Sequence, residues 1–283
     1  MASFAAALNR HLAAYKTLRL GVRESGVFMH KGKEVRHGHI LPRELRWLNI
    51  LEPYRAEVRQ YVEARDDLKL HKYFHHLNSS QAFAFNLFFP FFENGHSACL
   101  LRAMGLPGEA TTWHPENIVA PDEGTNVDVS WRSAGGDWTY CEVKLSEAEF
   151  GAAKDDKRHR EKLDAIYRPV LSAYCPAELL EPPTFFASYQ VLRNLWLAAR
   201  TPGASVVFLL PRSNAALWGP LQAVTTAVSA PLAKRVHIVA TEDVLAALAS
   251  ARATPPRLAW YAEQLAEKYM VPDAERPGTS VTK

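Results

Sequence analysis

Thr125-Asn126-Val127-Asp128-Val129-Ser130-Trp131-Arg132 and Trp138-Thr139-Tyr140-Cys141-Glu142-Val143-Lys144-Leu145 flank Ser133-Ala134-Gly135-Gly136-Asp137. Both flanks are rich in β-branched and aromatic residues, and the glycine pair between them is hairpin-turn chemistry. Period-2 alternation puts Val127, Val129 and Trp131 on one face of the first strand and Asp128, Ser130 and Arg132 on the other. On the second strand Trp138, Tyr140, Glu142 and Lys144 share a face. A three-residue loop, Ala134-Gly135-Gly136, pairs Ser133 with Asp137 and sets Asp128 opposite Glu142. A two-residue loop shifts every partner by one, and Asp128 then faces Val143.

In the three-residue register two carboxylates lie side by side with an ammonium two residues along. Ionised carboxylates at close quarters repel unless a cation holds them. Their oxygens suit a hard divalent ion such as Mg2+, which keeps several of its waters. A metal-bound water loses its proton more easily, and Lys144 is placed to orient it or to stabilise developing negative charge. That is equipment for hydrolysing a phosphodiester. The plainer alternative is a surface cross-strand network in which Lys144 pairs the acids. Against it, Tyr140, Cys141, Val143 and Leu145 make the second strand largely apolar, so it is expected to be central, where unpaired charge is expensive.

Outward from the hairpin the chain reads as α/β. Residues 3–20 carry Phe4, Leu8, Leu12 and Tyr15 at helical spacing, and residues 26–41 read as a short hairpin turning at Lys31-Gly32-Lys33. Pro53 opens a helix that runs to about Arg65. Asn78-Ser79-Ser80 offers N-cap chemistry to a helix over 81–89, apolar on nearly every side and therefore buried. A short helix spans 97–104. After the central hairpin come a charged helix over 146–170, a proline-rich loop and a long amphipathic helix over 184–200. Two apolar strands, Ser205–Leu210 and Val236–Ala240, are each followed by a helix, 214–224 (broken or kinked at Gly219-Pro220) and 242–249. This alternation predicts parallel additions to the sheet with helices on both faces. A last helix spans 256–270, and the tail is expected to fray. The expected division is an N-terminal helical and hairpin extension over 1–77, a core over 78–270 and a flexible tail over 271–283.

Composition bounds the rest. Of 283 residues, 48% are hydrophobic and 22% charged, which suits a large core built without disulfide or metal staples. The net charge of +3 is too mild to show a nucleic-acid partner and leaves room for a local basic patch. Cys99, Cys141 and Cys175 form no CxxC pair, which excludes a zinc ribbon and points to a reducing compartment. Arg10 interrupts the apolar run that a signal peptide needs. The most apolar stretch, 82–92, contains Asn86 and Pro90 and is far short of the roughly 20 residues that span a bilayer. A soluble cytoplasmic protein with no membrane partner is expected. Walker A and GxGxxG sequences are absent, so nucleotide-driven motor activity is not supported.

Asp128, followed across the hairpin by Glu142-Val143-Lys144, resembles the Asp and ExK motifs of the PD-(D/E)XK nuclease superfamily. Four further segments are similar to one branch of it, a bacterial group of restriction endonucleases. These are Gly38-His39-Ile40-Leu41-Pro42, Leu77-Asn78-Ser79-Ser80-Gln81-Ala82 with Asn86-Leu87-Phe88, Glu149-Phe150-Gly151, and Tyr189-Gln190-Val191-Leu192-Arg193-Asn194. The likeness runs from about residue 26 to about 212. ExK alone is a weak motif; the ordered set of helix, Asp strand, ExK strand and Gln-bearing helix is far more specific. The resemblance implies a restriction-endonuclease-like α/β core, with a mixed central sheet flanked by helices and an N-terminal helix and hairpin extension. It implies a Mg2+-dependent endonuclease, with Mn2+ as a substitute, that hydrolyses DNA phosphodiester bonds. Asp128 and Glu142 would be metal ligands with the Val143 carbonyl, Lys144 the catalytic lysine, and Gln190 a neighbour of the metal site. Arg193 lies on the same helix face as Gln190 and would contact phosphate. Val127 stands where the family pattern has proline. The superfamily often adds an acid from the helix before the Asp strand; Glu93 is the candidate, against its reading as a solvated helix end. Cleavage of both duplex strands suits a homodimer, and a cognate methyltransferase is the further partner that restriction implies.

Weaker signals surround these. Lys154 to Lys162, including Lys157 and Arg158, holds five basic and three acidic residues. It reads either as a phosphate-tracking edge or as a solvated face laced with ion pairs. His71, His75 and His76 lack the Glu of HExxH and read as polar residues leading into the cap. Ser80, with Ser79 and Gln81, either positions DNA or caps the helix. Pro211-Arg212-Ser213-Asn214 follows a strand end, where α/β proteins bind ligands, or serves as loop and cap. Three other readings stay open: a repair or phage-defence nuclease acting on RNA or branched DNA, a non-catalytic nucleic-acid-binding module with the same fold, and a plain scaffold or partner-binding domain that binds neither metal nor DNA.

Overall fold

Ser3 accepts the Ala6 N–H and opens α1 (Phe4–Leu18), which buries Phe4, Leu8, Leu12 and Tyr15. Lys31 (φ 49°) and Gly32 (φ 78°) turn β1 (Val27–His30) into β2 (Lys33–Arg36), the two left-handed residues that a tight hairpin needs. A 3-10 turn (Arg43–Asn49) precedes α2 (Glu52–Glu63), which carries Pro53 in its first turn. Ser79 accepts the Ala82 N–H and caps α3 (Ser80–Phe92), buried from Gln81 through Phe91 and continuous through Pro90. α4 (Ser97–Ala103), β3 (Ala110–Ala120), β4 (Thr125–Ser133) and β5 (Trp138–Val143) follow. Next come α5 (Lys157–Lys162), a π-helical turn (Leu163–Tyr167), α6 (Arg168–Leu171), α7 (Pro182–Ala187), α8 (Tyr189–Arg200) and β6 (Ser205–Leu210). The remaining elements are α9 (Ala215–Thr225), α10 (Ala230–Ala233), β7 (Val236–Ala240), α11 (Thr241–Ser250) and α12 (Pro256–Tyr269). This computed structural model describes residues 3–121, 123–250 and 255–272; the expected frayed tail lies outside them from residue 273 on.

The chain forms two compact units, residues 1–107 with 241–283, and residues 108–240. These cuts differ from 77/78 and 270/271, because α3 packs on α2, α4 and α12 and so belongs with the N-terminal elements. In the first unit the buried amide of Asn86 ties the helices together. Its Nδ2 donates to the Asn49 carbonyl (2.9 Å) and the Tyr269 hydroxyl (2.7 Å), and its Oδ1 accepts the Leu51 N–H (2.8 Å). A polar group at the heart of an apolar helix must be satisfied in this way, and Asn86 is.

The second unit holds a five-stranded sheet in the order β3-β4-β5-β6-β7. β3, β4 and β5 are antiparallel neighbours, whereas β6 and β7 add in parallel. The connections allow nothing else: a short turn joins β4 to β5, while the long helical crossover from β5 to β6 lets the chain return to the same end. β6 is the apolar spine, buried from Val206 to Leu210. The core on one side joins Tyr140, Val206 and Phe208 to Tyr167, Leu192, Leu195 and Trp196.

Four points differ from the sequence expectations. β3 was absent from the sequence reading; it holds Pro115 and lies at the sheet edge, where a strand tolerates proline. Residues 146–156 are irregular rather than helical, and the helix starts at Lys157, where Asp156 accepts the His159 N–H. The expected helix over 184–200 breaks at Ser188. There the Gln190 N–H bonds the Gly151 carbonyl (3.0 Å) and the Phe186 carbonyl accepts the Ala153 N–H (3.0 Å), so the crossing strand takes the pair that would have continued the helix. The helix expected to break or kink at Gly219-Pro220 is continuous from Ala215 to Thr225.

A run of rings in the first unit carries a pH consequence. His39 stacks on His37 (centroids 5.6 Å) and meets His76 edge-on (6.3 Å). Burial, then His37 and Lys16, pulls His39 down to about 4, and burial with the neighbouring histidines pulls His76 down to about 3. Both rings are neutral when folded, whereas the unfolded chain takes up protons near pH 6.5. Unfolding therefore binds protons as pH drops from about 6.5 toward 4, and stability falls through that window. Thermal melts should show a lower Tm at about pH 5 than at about pH 7, with a shallower slope in His39→Gln. Identical slopes would show that His39 is not a source of the effect.

Candidate active site

The turn settles the register. Gly136 (φ 91°) donates its N–H to the Ser133 carbonyl, and the Ser133 N–H bonds the Asp137 carbonyl, each at 2.9 Å. The loop is therefore Ala134-Gly135-Gly136, and Val129 pairs with Cys141, Ser130 with Tyr140 and Arg132 with Trp138. One step further the same register sets Asp128 opposite Glu142. The ladder gives way there, and Asp128 Oδ2 accepts the Val143 N–H at 2.8 Å.

Glu142 is 2% exposed, on a strand covered on both sides by β4 and β6. A carboxylate so placed needs its hydrogen-bond donors inside the protein. Lys144 Nζ donates to Oε1 (2.9 Å), as does Gln190 Nε2 (2.6 Å). Asn194 Nδ2 donates to Oε2 (3.0 Å), with Arg193 behind it at 3.4 Å. Gln190 is itself clamped, because its Oε1 accepts the Gly151 N–H at 2.8 Å. The first turn of α8 is pinned by Tyr189, whose hydroxyl donates to the buried Glu123 (2.8 Å) beside the Tyr167 hydroxyl (2.7 Å) and Lys162 (3.3 Å).

The two acids are unequal. Burial alone would raise Glu142, but Lys144 and Arg193 outweigh it and hold its carboxyl below the usual range. Asp128 is pushed well above its usual range, first by desolvation and then by the like charge of Glu142; Lys144 and the Val143 N–H only partly offset this. Burial would lower Lys144, yet Glu142 and Asp128 raise it, so it remains an ammonium. Among the described residues two buried atoms of this set lack partners, Arg193 Nε and Asn194 Oδ1.

The remaining residues singled out from sequence lie on other elements. Glu93 is the C-cap of α3 in the first unit, where its charge acts on Tyr61. Ser80 is the first residue of α3, and the cap itself is Ser79. Lys157 pairs with Glu161 (3.8 Å), and Arg158 is exposed beside Asp156 on a segment whose other charges also pair locally. Asn214 Nδ2 donates to the Glu147 carbonyl (2.8 Å), which fastens the loop after β6 to the chain after β5.

Two site residues escaped the sequence reading. Asn194 was quoted only within a motif; its four-residue spacing from Gln190 places both on one helix face and could have revealed it. Glu116 gave no signal. It sits on β3 between Pro115, paired with Val129, and Asn117, paired with Val127, and so lies opposite Asp128, whose carboxyl it pushes up. Its backbone is left-handed (φ 51°), which no sequence pattern announces. Among the described residues no three His, Cys, Asp or Glu side chains form a ready metal cage.

A mixed sheet flanked by helices, with this hairpin at its centre, is a restriction-endonuclease-like α/β fold. Residues 9–270 match the family model described as "Restriction Endonuclease associating with ARP", and the chain belongs to that family. Membership gives it a nuclease-like role. No curated protein and no solved structure matches the chain. Among the described residues no helix is long and apolar enough to cross a membrane.

The strain at Asp128 is testable. Asn keeps an acceptor for the Val143 N–H and removes a desolvated charge that faces Glu142 and Glu116. Asp128→Asn should raise stability by about 1 kcal/mol, which is about 2–4 °C in Tm for a chain of this size, in chelator at neutral pH. A lower Tm than wild type would contradict this account of the charge balance.

Proposed function

We propose that this chain is a PD-(D/E)XK-type endonuclease that hydrolyses DNA phosphodiester bonds with Mg2+, or Mn2+ in its place. The observation that carries this reading is the central hairpin, where Asp128 faces Glu142 and Lys144 is bonded to Glu142 at 2.9 Å. The donor set fits a hard divalent ion. Asp128, Glu142 and Glu116 bring three carboxylates against the two cations Lys144 and Arg193. Asn194 Oδ1, buried and without a partner, is an acceptor suited to a metal-bound water. Asp128 and Glu142 would hold the ion, with Glu116 on the adjacent strand as a third acid whose charge acts on Asp128. When bound, the ion would supply Lewis-acid polarisation of the phosphate and a more acidic water.

The chain's own residues do the rest. Lys144 stays charged, so it serves as an electrostatic anchor for the nucleophile and for developing charge rather than as a base. Gln190, clamped between Gly151 and Glu142, fixes the carboxylate's orientation. Arg193 has a spare donor at Nε for a phosphate oxygen. The three free thiols suit the cytoplasm. A homodimer would bring two such sites to a duplex, and a cognate methyltransferase would protect host DNA.

Full-length protein should nick and cut plasmid DNA with Mg2+ or Mn2+ and do neither in chelator. Asp128→Ala and Lys144→Ala should each lose about 100-fold or more, and Gln190→Ala about 10-fold, in single-turnover rate. Cleavage by both Asp128→Ala and Lys144→Ala at the wild-type rate would remove the assignment. RNA and branched DNA in the same assay separate a restriction enzyme from a repair or defence nuclease.

A further inference from the structure

In the first unit a cavity of about 260 Å3 opens between the 3-10 turn over Arg43–Asn49 and the segment that leads into α3. Its polar lining is wholly basic: Arg43, Arg46, His71, Lys72 and His75. Leu70 and Phe74 supply the apolar wall, and no carboxylate is present in the lining. Elsewhere in this unit Arg19 pairs with Glu267, Arg59 with Glu63 and Arg257 with Glu57. Among the described residues Arg43, Arg46 and Lys72 have no such partner. Arg46 and Lys72 instead lie over the rings of Trp47 (5.8 Å) and Tyr73 (4.7 Å). Aromatic faces hold cations without neutralising them, which leaves their hydrogen-bonding capacity for a ligand.

The wall is fixed before any ligand arrives. Gln81, whose Oε1 accepts the His71 N–H (2.8 Å) and whose Nε2 donates to the Lys69 carbonyl (3.1 Å), locks the 69–71 segment against α3. His71 Nδ1 then accepts the Tyr73 N–H (3.3 Å). Like charges gathered without counter-charge are unfavourable unless an anion completes them. His75, 3% exposed, registers that field: burial, then Arg43, lowers its pKa. The volume is below the roughly 300–1,000 Å3 of pockets that enclose a drug-sized molecule, so the occupant is compact. Arginine forks match phosphate oxygens bidentately.

We propose that Arg43, Arg46, His71, Lys72 and His75 form a phosphate-binding site in the first unit. The phosphate could be free or could be the 5′ end of a nucleic-acid strand; the recognition chemistry is shared. The site does not rest on the nuclease reading.

Calorimetric titration of the full chain in chelator tests it, with inorganic phosphate as the first probe and chloride at matched ionic strength as the control. Wild type should bind phosphate saturably. Arg43→Ala and Arg46→Ala, both at exposed positions and checked for folding by circular dichroism, should each bind at least about tenfold more weakly. Arg46→Lys should recover part of the loss. Asp128→Ala should bind as wild type does, so failure of this site and failure of the nuclease reading are separable. A pair of oligonucleotides, 5′-phosphorylated and 5′-hydroxyl, distinguishes the sources. Preference for the phosphorylated strand assigns a strand end, and phosphate binding without that preference assigns the free anion; either supports the site. No saturable phosphate binding by wild type, or binding unchanged in both arginine variants, overturns it.

Discussion

A carboxylate that is 2% exposed must find its counter-charge and its donors within the protein, and Glu142 sets this demand at the centre of the sheet. Lys144 meets part of it from one residue past the end of the same strand. The rest comes from Gln190, Arg193 and Asn194, so the first turns of α8 must lie over the end of β5. That placement explains several local irregularities at once. The helix breaks at Ser188 because Gly151 and Ala153 take the backbone groups of Gln190 and Phe186. Residues after β5 stay irregular because the Leu145 N–H is capped by the Glu147 carboxylate (2.6 Å) and Gly151 is drawn to Gln190. Tyr189 and Tyr167 converge on Glu123, so a second buried acid braces the same helix.

Much of this was legible in the sequence. Gly135-Gly136 limited the hairpin to two registers, and in one of them Asp128 and Glu142 meet. The apolar runs of β6 and β7, with helices between, announced parallel strands. Asn78-Ser79-Ser80 marked the start of α3, although which serine caps it is a matter of backbone angles that composition does not carry. What stayed hidden depended on tertiary hydrogen bonds. Residues 146–156 have helix-compatible composition, but the backbone groups of Glu147, Gly151 and Ala153 bond Asn214, Gln190 and Phe186 instead. β3 lacks alternation and contains Pro115, so periodicity could not reveal it, and the acid on it went unseen.

The asymmetry between the two carboxylates separates fold from function. Glu142 is surrounded by donors and contributes to a well-ordered centre. Asp128 has one backbone donor and two acidic neighbours, so its charge is a local cost that the rest of the fold sustains. Buried groups held in unfavourable charge states gather at functional sites, because relieving them stabilises the protein at the expense of the chemistry. Structural decoration would be expected to show the opposite pattern, with each acid matched.

Glu116 extends the same argument to the backbone. A non-glycine residue at φ 51° costs of order 1–2 kcal/mol and persists only where the surroundings over-determine it. Here the over-determination is visible. Pro115 and Asn117 keep their register with Val129 and Val127, and Asn117 Nδ2 donates to Ser130 Oγ at 3.1 Å. The strand is thus held on both sides of the strained residue, whose charge acts on Asp128. An acid supplied by the adjacent strand keeps a fixed register to the hairpin, within one unit of the fold. The strain at Glu116 and the excess charge at Asp128 therefore fall at one place, on adjacent strands facing the end of the hairpin.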